Sequence, residues 1–61
     1  MNFKYGDIIE WCNEFYEVET NNGSSGTVWE LNHKYERTGT LIERFYWVYG
    51  DDESKLIKSA V

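Results

Sequence analysis

The chain has no proline, one cysteine (Cys12), one histidine (His33) and six Lys/Arg against eleven Asp/Glu in its 61 residues. Each shortage excludes something. A chain without proline is neither collagen-like nor a proline-rich linker. A lone cysteine builds no disulfide framework, and one Cys with one His cannot supply a tetrahedral zinc site. Nucleophilic catalysis would need Cys12 and His33 to meet, and His33 stands in a polar segment that nothing in the pattern brings to Cys12. Gly23-Ser24-Ser25-Gly26 lacks the following Lys and helix of a phosphate loop. Asp51-Asp52-Glu53 lacks the spacing of a calcium loop. The expectation is therefore a non-enzyme with no catalytic residue, no metal ligand and no cofactor.

No run of 18 apolar residues exists, so no helix is expected to span a bilayer. MNFKYGDIIEW lacks the basic-then-apolar layout of a secretion signal. A cytoplasmic location is the expectation, and Asn22-Gly23-Ser24 then matches a glycosylation acceptor only by chance. The formal net charge of −5 repels a polyanion on average. Lys34, Arg37 and Arg44 are the best candidates for a local basic patch, with Glu30, Glu36 and Glu43 among them. Nucleic acid is accordingly an unlikely partner.

What the chain does have is aromatic bulk: three Trp, five Tyr and three Phe, with 41% of all residues hydrophobic. Each buried ring removes about 150–250 Å² from water, enough to expect one small folded domain over residues 1–61. The pattern has period two. Asp7–Trp11 reads as a first strand. Phe15–Glu19 is a second, with Tyr16 and Val18 on one face and Glu17 and Glu19 on the other. Thr20–Gly26 is a loop rich in Asn, Gly and Ser. Thr27–Asn32 is a third strand, with Trp29 expected in the core. His33–Gly39 is a loop or wide turn. Thr40–Tyr49 is the longest strand; at about 33 Å when extended it calls for a bend or bulge. Lys55–Val61 reads as a short last strand, with a helical turn as the alternative. About five strands in so short a chain should not leave two open edges. A small SH3-like barrel, or a strongly bent antiparallel sheet, is the expected all-β fold.

The run YGDIIEW, then YEVE, a Gly/Ser turn and GTVWEL resembles the first half of small SH3-like barrels, and of KOW-type modules in particular. The likeness covers about Tyr5 to Leu31. It implies a barrel and, for the KOW type, association with RNA or with ribosomal and transcription proteins through basic loops. The matching loops here carry Asn, Ser and Glu.

Two surfaces stand out. If Leu41, Glu43, Phe45, Trp47 and Tyr49 face inward, then Ile42, Tyr46 and Val48 form an outward apolar stripe with Arg44 as a charged anchor. Tyr35 in the adjoining loop extends it. The competing outcome is a bent strand with both faces partly buried. Such a stripe fits a protein partner or a second copy of the chain. The other surface is acidic: Glu10, Glu14, Glu17 and Glu19 gather in the first hairpin. That array could imitate backbone phosphates and occupy a basic nucleic-acid-binding protein, as small phage-encoded mimics do. It equally serves solubility.

Overall fold

The computed structural model describes residues 2–60. Its strands are β1 (Ile8–Trp11), β2 (Glu14–Asn21), β3 (Ser25–Leu31), β4 (Arg37–Tyr46), β5 (Val48–Tyr49), β6 (Asp52–Glu53) and β7 (Lys55–Lys58). Among the described residues there is no helix. A five-stranded antiparallel sheet has the order β4-β3-β2-β1-β7, and β5 and β6 form a separate ribbon. The all-β expectation therefore stands in its bent-sheet form. The barrel does not close, because β4 and β7 remain the two edges. After Tyr46 the chain leaves the sheet and folds back as the β5–β6 ribbon instead of continuing toward β7. The backbone N–H of Ser54 donates to the Trp47 carbonyl at 2.8 Å and ties that return. The C-terminal segment takes the strand form over Lys55–Lys58; Met1 and Val61 lie outside the described residues.

Short turns set the registers. Trp11 pairs with Glu14 across a two-residue turn, whose residues Cys12 and Asn13 have φ of 51° and 64°. Two positive φ values are what a type I′ hairpin requires. Asn suits that region, whereas Cys seldom adopts it. Asn32 organises the β3–β4 turn: its Oδ1 accepts the N–H groups of Lys34 (2.8 Å) and Glu36 (3.1 Å). At the chain's start, the buried Asp7 carboxylate accepts from the N–H of Lys4 and of Ala60, each at 2.9 Å. One side chain thus fastens both ends of the described chain.

The core lies on one face of the sheet. Ile9, Tyr16, Val18, Val28, Phe45 and Trp47 form it, with Phe3, Trp11 and Ile42 packed at its margin. Burying a Val or Ile side chain contributes about 1.5–3 kcal/mol. The aromatic rings meet edge-on: Phe3 and Trp47 at 5.2 Å, Trp11 and Phe45 at 6.0 Å. Trp47 is the largest fully buried side chain. Its indole N–H donates to the Gly23 carbonyl at 2.9 Å, which satisfies its polar atom. The ring rests directly over Gly26. A Cβ there would come within 2.5 Å of Trp47 Cζ2 and would also strike the Thr20 carbonyl. Only glycine fits between β3 and that ring.

Two irregularities bend β4. Val28 pairs with Ile42 but Gly26 pairs with Phe45, so Glu43 and Arg44 together face Thr27. The Thr27 hydroxyl donates to the Glu43 carbonyl at 3.1 Å and pins this bulge. A second shift lies between Trp29↔Leu41 and Leu31↔Arg37 and is spanned by Gly39 with φ of 98°. A straight ten-residue strand would reach about 33 Å, yet the molecule measures 26 Å along its longest axis.

Candidate functional site

The bulge at Glu43–Arg44 decides which side chains β4 shows to water. Before it and after it, Ile42 and Phe45 both face the core. The expectation of strict alternation from Leu41 to Tyr49 is therefore corrected at four positions. Ile42 packs against the core rather than outward. Leu41 and Glu43 are exposed rather than buried. Tyr49 is 38% exposed. Phe45 and Trp47 are inside as expected.

Past the bulge, Arg44, Tyr46, Val48 and Tyr49 form an exposed corner where β4 gives way to β5. Tyr46 and Val48 are 40% and 44% exposed. Tyr46 and Tyr49 meet edge-on at 5.6 Å, and the Tyr46 backbone N–H donates to the Tyr49 hydroxyl at 3.3 Å. Tyr49 leans on Trp11 (4.8 Å) and Phe45 (5.9 Å). Tyr49 is thus braced from behind by core rings and in turn backs Tyr46, so these two rings are held in place. Tyr35 does not join it. That residue sits in the turn before the opposite end of β4, with φ of 63°, and stacks edge-on to Phe15 at 5.0 Å. His33 contacts the same Phe15 ring at 5.6 Å.

The uncovered face of the sheet carries most of the acids named from sequence. Glu17 and Glu19 alternate with Tyr16 and Val18, which places them opposite the core. Glu10 shares that face, being paired with Phe15, while Glu14 opposes Trp11 and falls on the core side at the sheet's end. The expected four-acid array is therefore split between two faces. Two of its members are also engaged. Arg37 Nε donates to Glu17 Oε1 at 2.8 Å, and Trp29 Nε1 donates to Glu19 Oε2 at 3.3 Å. The Arg37 guanidinium lies 4.5 Å over the Trp29 ring. Trp29 is thus half-buried on the outer face, not in the core, because Val28 holds the inward position. Leu31 shares the outer face and is buried beside its cross-strand partner Phe15. The outward placement of Trp29 and Leu31 was hidden in sequence because Trp and Leu read as core residues wherever they stand.

A cleft of about 450 Å³ opens between the β1–β2 turn and the β5–β6 ribbon, lined by Glu10, Cys12, Asp51, Asp52, Glu53 and Lys55 among others. Sequence reading singled out the Asp51–Glu53 run only as a failed calcium loop and did not join it to Glu10. The join depends on β6 folding back beside β1, where Trp11 Nε1 donates to the Asp52 carbonyl at 3.2 Å. Lost hydration pushes the exposed Cys12 thiol up, and the adjacent Asp52 charge pushes it further. Cys12 is therefore held as a thiol, the poorly nucleophilic form. Among the described residues no three of His, Cys, Asp and Glu gather to hold a metal ion, and no helix is long and apolar enough to cross a membrane.

These features define a small open antiparallel sheet with one aromatic corner and one acidic cleft. No family model, curated protein or solved structure matches this chain.

Proposed function

We propose that the chain is a non-enzymatic interaction module that binds a partner protein through the corner formed by Tyr46, Val48 and Tyr49, with Arg44 at its margin. One observation carries this reading: three large side chains within four residues are each about two-fifths exposed, and two of them, Tyr46 and Tyr49, are set ring against ring. Isolated exposed apolar residues are ordinary, but a contiguous rigid group is the form that contact sites take. Tyrosine suits this use because it offers large area for the loss of only two torsions.

The test is a photo-crosslinking residue placed at Val48, with Thr40 as the control on the same strand. A discrete protein adduct from position 48 and none from position 40 is the expected outcome. Self-association through the same corner would give an adduct of twice the chain mass. Equal adducts from both positions would remove the reading. A salt-sensitive shift of RNA or DNA, abolished by Lys34→Glu with Arg37→Glu, would instead favour the KOW-like role.

A further inference from the structure

The aromatic corner and the acidic cleft share the β5–β6 ribbon, and this tells what kind of partner the corner fits. Val48 pairs with Glu53 and Tyr49 with Asp52, so each apolar group of β5 has a carboxylate directly across the ribbon. Asp51 lies in the turn that joins them, where Gly50 has φ of 62°. Glu10 adds a fourth carboxylate on the far wall of the cleft. Among the described residues the ion pair is Arg37–Glu17, far along the sheet from this ribbon. Lys55 lines the cleft but forms no ion pair with any of the four acids. The local charge of that wall is strongly negative, and the molecule as a whole carries −5.

We infer that the docking segment of the partner is cationic: an extended stretch with Arg or Lys side chains between apolar ones. This inference rests on the corner being a docking site. The apolar side chains would cover Tyr46 and Val48. The cationic groups would lie against the Tyr49 ring, a favourable arrangement for a guanidinium, and reach Asp51, Asp52 and Glu53 with charge-assisted hydrogen bonds. Charge complementarity also argues against a second copy here. Two such corners facing each other would set the four carboxylates of each copy against only one Arg44 and one Lys55 apiece, an excess of like charge.

The experiment uses three labelled twelve-residue peptides: one alternating Arg with Leu and Ser, one with Glu replacing each Arg, and one retaining Arg with Ser replacing each Leu. Binding is read by fluorescence anisotropy and by amide chemical shifts of the full chain. The Arg/Leu peptide should bind tightest and shift the amides of Tyr46, Val48, Tyr49 and Asp51 to Glu53. Its affinity should fall about tenfold in the triple variant Asp51→Asn, Asp52→Asn, Glu53→Gln, since each exposed charge adds only modestly to binding. Those substitutions are nearly isosteric and exposed, and the wild-type shift map decides the question without them. Arg-peptide binding that maps elsewhere, or is undiminished in the triple variant, overturns the inference. If the Glu peptide shifts the corner amides as strongly, the corner is a docking site and its stated partner is wrong. If no peptide moves those amides, the docking reading fails with it.

Discussion

The two faces of the sheet each carry a tryptophan, and they treat it differently. Trp47 is 1% exposed, seated over Gly26, with its indole N–H donating to Gly23 O. Trp29 on the opposite face is half-buried, with Arg37 stacked on it and Glu19 accepting its N–H. Both have a polar partner, so hydrogen bonding does not distinguish them. Enclosure does. The core face is covered by Phe3, Trp47 and the rings around Phe45. The outer face is covered only by its own side chains. The lesson is that most of the enclosed apolar surface lies on one side; on the other, Leu31 is buried beside Phe15 and the remainder is held by cross-strand pairs of modest worth.

Breaking the enclosed side should have the largest effect. Gly26→Ala forces a methyl group into Trp47 and the Thr20 carbonyl. Overpacking alone costs about 1–3 kcal/mol, and the backbone carbonyl cannot move aside cheaply. Domains of this size have only about 3–5 kcal/mol to lose. The variant should show no cooperative thermal transition by circular dichroism; a melting temperature within a few degrees of the parent would disprove the seat.

The comparison of the two indoles is sharpened by truncating each. Trp47→Ala should cost about 3–5 kcal/mol and leave the chain largely unfolded. Trp29→Ala should cost about 1 kcal/mol, read by urea unfolding of the folded variant, since only part of its area leaves water. Similar losses at both positions would mean that the outer face is packed as firmly as the core.

The smallest effect concerns neither face but the turn between β1 and β2. Cys12 occupies the first position of a type I′ turn with φ of 51°. Cys12→Asn supplies a residue at ease there and should raise stability by about 0.5–1 kcal/mol. A loss of stability would show that the thiol's contact with Asp52 outweighs the strain.

Much of this organisation is legible in the chain itself. The alternation of Tyr16 and Val18 with Glu17 and Glu19 names both the strand and its inner face. The Thr20–Gly26 loop and the polar His33–Gly39 loop mark where strands must reverse, although β2 runs on to Asn21, β3 already begins at Ser25 and β4 at Arg37. Exposure of Arg44, Tyr46 and Val48 was also readable, since Phe45 and Trp47 are the bulkiest candidates for the inside. Ile42 was not. A period-two pattern predicts parity only while the strand is regular, and one extra residue reverses every assignment on one side of it.

Composition and alternation were sufficient to dictate a small antiparallel sheet, its turns and its negative charge, because those follow from backbone sterics and side-chain solubility acting locally. Tertiary structure alone decided three things. It chose the bulge held by the Thr27 hydroxyl on Glu43 O, the seat of Trp47 over Gly26, and the meeting of Glu10 with Asp51–Glu53 in one cleft. Each depends on contact between residues far apart in the chain, and no local pattern carries that information.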